Sequence, residues 1–192
     1  MKAEYAKLVR GAASGDRDAM ERLLMRAQEA AYRFSLLVCG HAEDAEDVMQ
    51  DALLRTYRYV SRIAQPDAFR TWLYSTVRNA CLMKRRRRSG EPSTFVSIEQ
   101  GAHVADDAGA AVEIADRTPS ADQKMIDDWV DARLRGALKK LPPAYRMIVL
   151  MREMEGLSTK EVAAVTGYSE ANVKTRLHRA RMMLRQHMQE AP

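Results

Sequence analysis

The chain has few residues that could cross-link it or anchor it in a membrane. Its two cysteines, Cys39 and Cys81, have neither a CxxC spacing nor a nearby histidine pair, so neither a zinc site nor a redox motif is predicted. Both lie in apolar helical surroundings, and we expect buried free thiols, which suit a reducing cytosol. No apolar run approaches membrane-spanning length, and the N-terminus lacks a signal-peptide core. The sequence therefore predicts a cytoplasmic protein without membrane insertion.

Aromatic residues are also scarce, at 6%, and the chain holds only nine glycines and six prolines in 192 residues. Alanine, leucine, methionine and arginine are plentiful, which favours an all-α protein. The net charge of +5 is compatible with a polyanionic partner and equally with an ordinary basic soluble protein. We find no nucleophile–base pairing, phosphate loop or metal cluster, so we expect no catalytic residue, no metal and no cofactor.

Helical periodicity runs through residues 1–88. A break and cap at Gly15-Asp16 and a stop at Gly40-His41 bound one helix, and a turn at Gln65-Pro66 precedes another that ends in five consecutive cations. The apolar positions of the first of these helices recur at helical spacing: Met20, Leu23, Leu24, Ala27, Ala31, Phe34 and Val38.

The middle of the chain has a different character. Residues 89–121 are acidic, contain Gly and Pro, and show no sustained period. They predict a flexible linker, although a loop packed on one of the flanking helical segments is an alternative. Residues 122–192 are helical again. We therefore expect two small helical domains, 1–88 and 122–192, joined by an acidic linker over 89–121.

The second predicted domain, 122–192, contains a helix-turn-helix pattern in LSTKEVAAVTGYSEANVKTRLHRAR. Ser158 with Glu161 forms a capping box for the first helix, and Ser169 can cap the second. Gly167 supplies the positive φ that the tight turn needs. The small Ala163 suits a close helix crossing, and three aliphatic residues are spaced to fill the shared core: Val162, Val173 and Leu177.

On the second helix, Val173, Leu177, Ala180 and Leu184 share an inward face. The outward positions of the N-terminal half are those that a recognition helix inserts into a major groove: Glu170, Ala171, Lys174, Thr175 and His178. Lys174 could reach a guanine or a phosphate, and Glu170 could accept from a cytosine amino group. Further along, Arg176, Arg179 and Arg181 suit phosphates, whereas a solvated basic face is the simpler interpretation for Arg185 and His187.

Two features of residues 1–88 are not explained by the helix-turn-helix. The helix DAEDVMQDALLRTY begins with several acidic residues, which either offset the helix dipole or, with an exposed Leu54, form a partner surface. The helix FRTWLYSTVRNACLMKRRRR mixes aromatic, amide and basic residues, a combination that suits single-stranded DNA. Its predicted buried face is Phe69, Leu73, Val77 and Ala80, and Trp72 beside it is also expected in the core. Five residues fall elsewhere and are candidates for exposure, with a place in the core as the alternative for Tyr74: Arg70, Tyr74, Arg78, Asn79 and Met83.

Together with LPPAYRMIVLMREMEGLSTKEVAAVTGYSEANVKTRLHRARMMLR, these two segments resemble, in order, the signature regions of the extracytoplasmic-function (ECF) class of bacterial RNA polymerase sigma factors. The resemblance covers the conserved parts of both family domains, known as regions 2 and 4. It implies a factor that binds polymerase core and directs promoter recognition and melting in transcription initiation. The N-terminal domain would read the −10 element and the helix-turn-helix the −35 element. An anti-sigma factor that holds the protein until a stress signal is also implied.

The resemblance assigns roles to particular residues. Those that match the helix docking on the clamp helices of the polymerase's largest subunit are Asp44, Glu46, Asp47, Gln50, Asp51 and Leu54. Those that match the −10 region are Arg78, Asn79 and Met83, followed by the basic residues Lys84, Arg85, Arg86, Arg87 and Arg88 near the promoter backbone. Those that match the −35 recognition helix are Lys174, Thr175, Arg176, His178 and Arg179. Cys81 and Met83 stand where many relatives carry more polar residues, which leaves the preferred −10 sequence open.

Two other functions are compatible with parts of the pattern. A conventional DNA-binding regulator would need a sensor pocket or dimer face in residues 1–88, and dimerisation on a palindromic site would favour it. An adaptor that does not bind DNA would carry its basic runs as mere surface. Specific transcription with core polymerase would exclude the regulator, and a Lys174→Ala, Arg176→Ala double variant that keeps full promoter activity would support the adaptor.

Overall fold

The computed structural model describes residues 2–88 and 132–190, and all regular structure within them is helical. This confirms the predicted all-α class. The described residues form two compact units, one built on the helices of 2–88 and the other containing most of 132–190. The predicted linker over 89–121 and the first part of the second predicted domain, 122–131, lie outside the described residues.

The N-terminal unit contains four helices: α1 (Lys2–Ala13), α2 (Arg17–Cys39), α3 (Ala42–Tyr59) and α4 (Phe69–Arg88). Two short 3₁₀ turns, Val60–Arg62 and Pro66–Ala68, connect α3 to α4. The predicted boundaries of α2 are confirmed. The Asp16 carboxylate accepts from the Ala19 amide at 3.1 Å, and Gly40 ends the helix at φ 81°.

Helix α2 is the centre of this unit and packs against α1, α3 and α4. Phe34 of α2 meets Tyr74 of α4 edge to face, with ring centroids 5.3 Å apart. Tyr5 of α1 stacks on Phe69 at 5.6 Å. Such aromatic pairs add to the stabilisation that comes from burial. Because these contacts join three helices, α4 is held against a rigid support along its first half.

The expectation of free thiols is wrong, because Cys39 and Cys81 form a disulfide. Cys39 is the last residue of α2 and Cys81 lies in the second half of α4. The packing of α2 on α4 brings their Cα atoms to 5.4 Å, within the usual range for a disulfide. A separation of 42 residues carried no signal for this contact, since it depends on which helices are neighbours in space.

The described part of the C-terminal unit begins with α5 (Ala132–Lys140) and α6 (Pro143–Val149), and α6 continues as a π-helical turn, Leu150–Met154. Helices α7 (Thr159–Thr166) and α8 (Glu170–Glu190) follow. Helix α8 packs against α5 and α6. The core side chains are almost fully buried and come from every segment: Leu138, Ile148, Met151, Leu157, Val162 and Val173.

The helices of the described ranges are all too short or too polar to cross a bilayer.

Candidate nucleic-acid interfaces

Helices α7 and α8 form the predicted helix-turn-helix. The Ser158 hydroxyl accepts from the Glu161 amide at 3.2 Å, and the Glu161 carboxylate accepts from the Ser158 amide at 2.8 Å, which completes the capping box. Gly167 ends α7 at φ 77°, and the Ser169 hydroxyl accepts from the Asn172 amide at 3.2 Å. These local contacts fix the short turn that positions α8.

The shared core of the motif is also as predicted. Val162, Val173 and Leu177 are buried, so the opposite face of α8 points outward. Its N-terminal half is exposed at each residue expected there: Glu170, Ala171, Lys174, Thr175 and His178. Arg179 is exposed at the edge of this face. The helix thus presents cationic and polar side chains on one side, as groove insertion requires.

The two other arginines assigned to phosphates have partners within the protein. Arg176 is half-buried and its Nε donates to Asn172 Oδ1 at 2.7 Å. Arg181 is exposed, and its Nη2 lies 2.5 Å from a carboxylate oxygen of Glu153 in the π-helical turn. Contact of either arginine with DNA stays a prediction. Both have a partner within the protein, whereas the side chain of Lys174 is exposed.

Helix α3 presents an exposed stripe that is acidic at its start and ends in an apolar residue. Its exposed members recur at one-turn spacing, which puts them on one side of the helix: Glu46, Asp47, Gln50, Asp51 and Leu54. Leu54 is 53% exposed, as predicted. Asp44 differs, since it is buried; it lies at the inner edge of the stripe, close to α4.

Helix α4 buries more of its polar residues than the sequence suggested. Arg70 and Arg78 were candidates for exposure and are buried, and Tyr74 takes its alternative place in the core, because α4 is covered by neighbouring helices on more than its apolar stripe. Arg78 donates to Asn79 Oδ1 at 3.0 Å. Asn79 and Met83 are exposed as predicted, Met83 by 50%. Trp72, expected in the core, is half-buried beside Phe69.

Lys84 joins the two predicted surfaces of the N-terminal unit. Its ammonium group donates to Asp47 at 2.6 Å and lies 3.9 Å from Asp44. The first residue of the basic run is therefore tied to the acidic stripe of α3. Arg86 is half-buried, and the side chains of Arg85, Arg87 and Arg88 lie outside the described part of the chain.

One surface was missed from the sequence. Tyr57 is 63% exposed and lies one turn after Leu54 on α3, and Met25 of α2 is 64% exposed. Both line an open apolar groove of about 460 Å³ between α2 and α3. The spacing of Tyr57 from Leu54 was the available signal. The groove itself could not be foreseen, because it depends on how two helices pack.

No group of three or more metal-ligating side chains is found in residues 2–88 and 132–190.

Two family models of known proteins match this chain. The family model described as Sigma-70 region 2 matches residues 20–91, and the model described as Sigma-70, region 4 matches residues 131–184. Together they cover more than half of the chain. The chain therefore belongs to the sigma-70 family.

Individual relatives indicate the class within the sigma-70 family. The chain is 32% identical over 183 residues to the ECF RNA polymerase sigma factor SigE of Mycolicibacterium smegmatis, covering 92% of this chain and 65% of that relative. It is 31% identical over 179 residues to SigM of Mycobacterium tuberculosis, covering 93% and 82%. A solved structure of the sigma factor RpoE with the anti-sigma factor NepR from Bartonella quintana superposes with a TM-score of 0.61 at 22% identity, covering 90% and 98%. The chain is an ECF sigma factor, and its relatives are transcription regulators rather than enzymes.

Proposed function

We propose that this sigma factor binds RNA polymerase core through the exposed stripe of α3, and that α4 and α8 then read the −10 and −35 promoter elements. The observation that carries the proposal is that each matched region presents an exposed face of the required chemistry. On α3 this face is acidic and apolar, and on α8 it is cationic and lies opposite a buried apolar seam.

The polymerase contact is assigned to the residues that match the clamp-binding helix: Asp44, Glu46, Asp47, Gln50, Asp51 and Leu54. The acidic part favours association with a basic surface and raises the rate of encounter. Leu54 supplies the apolar contact at the end of the stripe. Asp44 is buried in the free chain, so we assign it an indirect role through Lys84.

Promoter melting follows from differential binding and requires no catalytic residue. A base that leaves the stack costs a few kcal/mol, and contacts that exist only with the separated strand offset this cost. Asn79 and Met83 are exposed side by side on α4 and are suited to hold such a base by an amide and an apolar contact. The cations of residues 84–88 would bind the adjoining backbone. Arg78 is buried, so its proposed role there is to orient Asn79.

The C-terminal unit sets the position on duplex DNA. Lys174, Thr175 and His178 face outward from the N-terminal half of α8 and would enter the major groove, with Glu170 and Arg179 at the edges. The two domains, proposed as 1–88 and 122–192, bind weakly alone and gain affinity when polymerase holds them at a fixed spacing. The protein would work where polymerase does, in the cytoplasm. An anti-sigma factor, as in the structure of the Bartonella quintana relative, would cover the same faces.

The test compares promoter binding by gel shift with and without purified core polymerase. We expect tight, promoter-specific binding only with core, and Lys174→Ala with Arg179→Ala should weaken it. Gln189→Ala, an exposed substitution near the far end of α8, is the control and should have no effect. Equally tight binding without core would refute the proposal and favour a conventional regulator.

A further inference from the structure

Arg176 lies on the side of α8 that is turned away from the proposed DNA face. It follows Lys174 by two residues, which places it roughly 200° further around the helix. Its side chain is half-buried, whereas Lys174, Thr175 and His178 are exposed. From this position, Arg176 is poorly placed to contact bases in the groove that Lys174 would enter.

The contacts of Arg176 show where its side chain is held. Its guanidinium carbon lies 4.5 Å from the centroid of the Tyr168 ring and 5.7 Å from that of Tyr145. Its Nε donates to Asn172 Oδ1 at 2.7 Å. Tyr145 belongs to α6, Tyr168 to the turn of the motif and Asn172 to the first turn of α8. One guanidinium therefore joins the three segments that determine the direction of α8.

These contacts need the planar shape of arginine. A guanidinium stacks flat on an aromatic ring while its Nε–H points along the plane to an acceptor. A lysine ammonium keeps the charge but cannot reproduce both contacts. The site is thus selective for arginine by shape and not by charge alone.

We propose that Arg176 is a positioning residue for −35 recognition, which orients α8 through Tyr145, Tyr168 and Asn172 and does not itself contact a DNA phosphate. The proposal rests on the −35 role assigned to α8. It separates Arg176 from Arg179, which lies three residues further on, is exposed, and retains its proposed phosphate contact.

The test measures promoter binding by the complete polymerase–sigma holoenzyme over a range of salt concentrations. Arg176→Ala and Arg176→Lys should both weaken binding about tenfold, the effect of losing stacking and one hydrogen bond. Both should leave the salt dependence unchanged. Arg179→Ala, the matched variant, should reduce the slope of log K against log salt by about 0.9, the value for one lost phosphate contact. Arg179→Lys should retain most of the affinity.

A loss of slope in Arg176→Ala that Arg176→Lys restores would overturn the proposal, because it is the signature of a phosphate contact. The neutral change Tyr168→Leu should weaken binding as Arg176→Lys does. Circular dichroism at the assay temperature shows that each variant is folded. On a promoter with a scrambled −35 element, the losses caused by Arg176→Ala, Arg176→Lys and Tyr168→Leu should vanish, whereas the slope change of Arg179→Ala should persist, because a phosphate contact does not depend on base sequence. Wild-type binding that ignores the scrambled element would instead remove the −35 role of α8 itself.

The disulfide carries a second inference, from a different observation. Cys81 is 2% exposed and lies on α4 between Asn79 and Met83, the residues proposed to hold a −10 base. Cys39 is half-buried at the end of α2. Their bond therefore ties the second half of α4 to the central helix. The first half of α4 is held by Phe34 and its neighbours, so the bond acts mainly on the second half.

We infer that Cys39 and Cys81 form a reversible redox site that controls −10 binding. The inference rests on the proposed cytoplasmic role, since disulfides there are usually transient. Oxidation proceeds by exchange with a small-molecule disulfide. The more accessible Cys39 thiolate attacks one of its sulfurs and releases a thiolate, and the Cys81 thiolate then attacks Cys39 Sγ and releases the second. Two protein thiols are oxidised, one external disulfide is reduced to two thiols, and the two protons go to solvent or to the released thiolates.

The oxidised form should hold Asn79 and Met83 in place and favour open promoter complexes. The test equilibrates the full chain in buffers of reduced and oxidised glutathione and counts its free thiols. Promoter opening with core polymerase is then followed by a fluorescent adenine analogue in the −10 element. Oxidised wild-type protein should give open complexes that live severalfold longer than reduced protein. The double variant Cys39→Ser, Cys81→Ser should match the reduced form in both buffers. Identical lifetimes in the two buffers, or thiols that stay free in excess oxidised glutathione, would overturn the inference. The absence of open complexes in either state would count against the proposed function instead.

Discussion

Leu54 offers a direct test of the proposed polymerase contact. The side chain is 53% exposed in the free chain, so about half of it could be newly buried in a complex. Complete burial of a leucine contributes about 1.5–3 kcal/mol, and half of that is about 1 kcal/mol. Leu54→Ala should therefore weaken core binding about fivefold. Leu54→Asp places an unpaired charge in the contact, which costs at least about 2 kcal/mol more, and should weaken it more than a hundredfold.

The assay is fluorescence anisotropy of labelled sigma factor titrated with purified core polymerase, without DNA. Neither substitution should change the free energy of unfolding by more than about 1 kcal/mol, since more than half of the Leu54 side chain is already exposed in the free chain. Met182→Asp alters a methionine that is 58% exposed in the other unit, and it should bind core as wild type does. If Leu54→Asp bound core with wild-type affinity, the assignment of the α3 stripe would be wrong.

Three further predictions concern stability and are measured by urea unfolding. Phe34→Ala should destabilise the N-terminal unit by about 3–5 kcal/mol, because the ring is almost fully buried against Tyr74; a loss under 1 kcal/mol would contradict the packing described. Ser158→Ala should cost the C-terminal unit about 1 kcal/mol through the lost cap, and an unchanged midpoint would show that the capping box is not formed. A double-mutant cycle of Lys84→Met and Asp47→Asn should give a coupling of about 0.2–1 kcal/mol, since both groups are partly exposed. Zero coupling would contradict the expected stabilisation by this ion pair.

The helix-turn-helix was predictable from the sequence because its determinants are local. Ser158 and Glu161 cap one helix, Gly167 permits the turn, and Val173 and Leu177 recur at helical spacing. Each of these signals acts within a few residues of the next. The same locality explains why the boundaries of α2 and the exposure of Leu54 were predicted correctly.

Features that depend on neighbouring helices were not predictable in this way. The disulfide links residues 42 positions apart, and the burial of Arg70, Tyr74 and Arg78 depends on which helices cover α4. The stacking of Arg176 on Tyr145 joins two helices through a side chain that looked like an ordinary DNA-binding cation. Periodicity identifies an apolar face, but it does not show how far partner helices extend around it.

In vitro transcription from a library of randomised promoters, with purified core polymerase and this protein, tests whether the chain directs core polymerase to promoters. We expect transcripts only when both proteins are present, and enrichment of two short sequence elements at one fixed spacing. Leu54→Asp should abolish the transcripts. Enrichment of a palindromic site without core, or transcripts that do not depend on this protein, would contradict it.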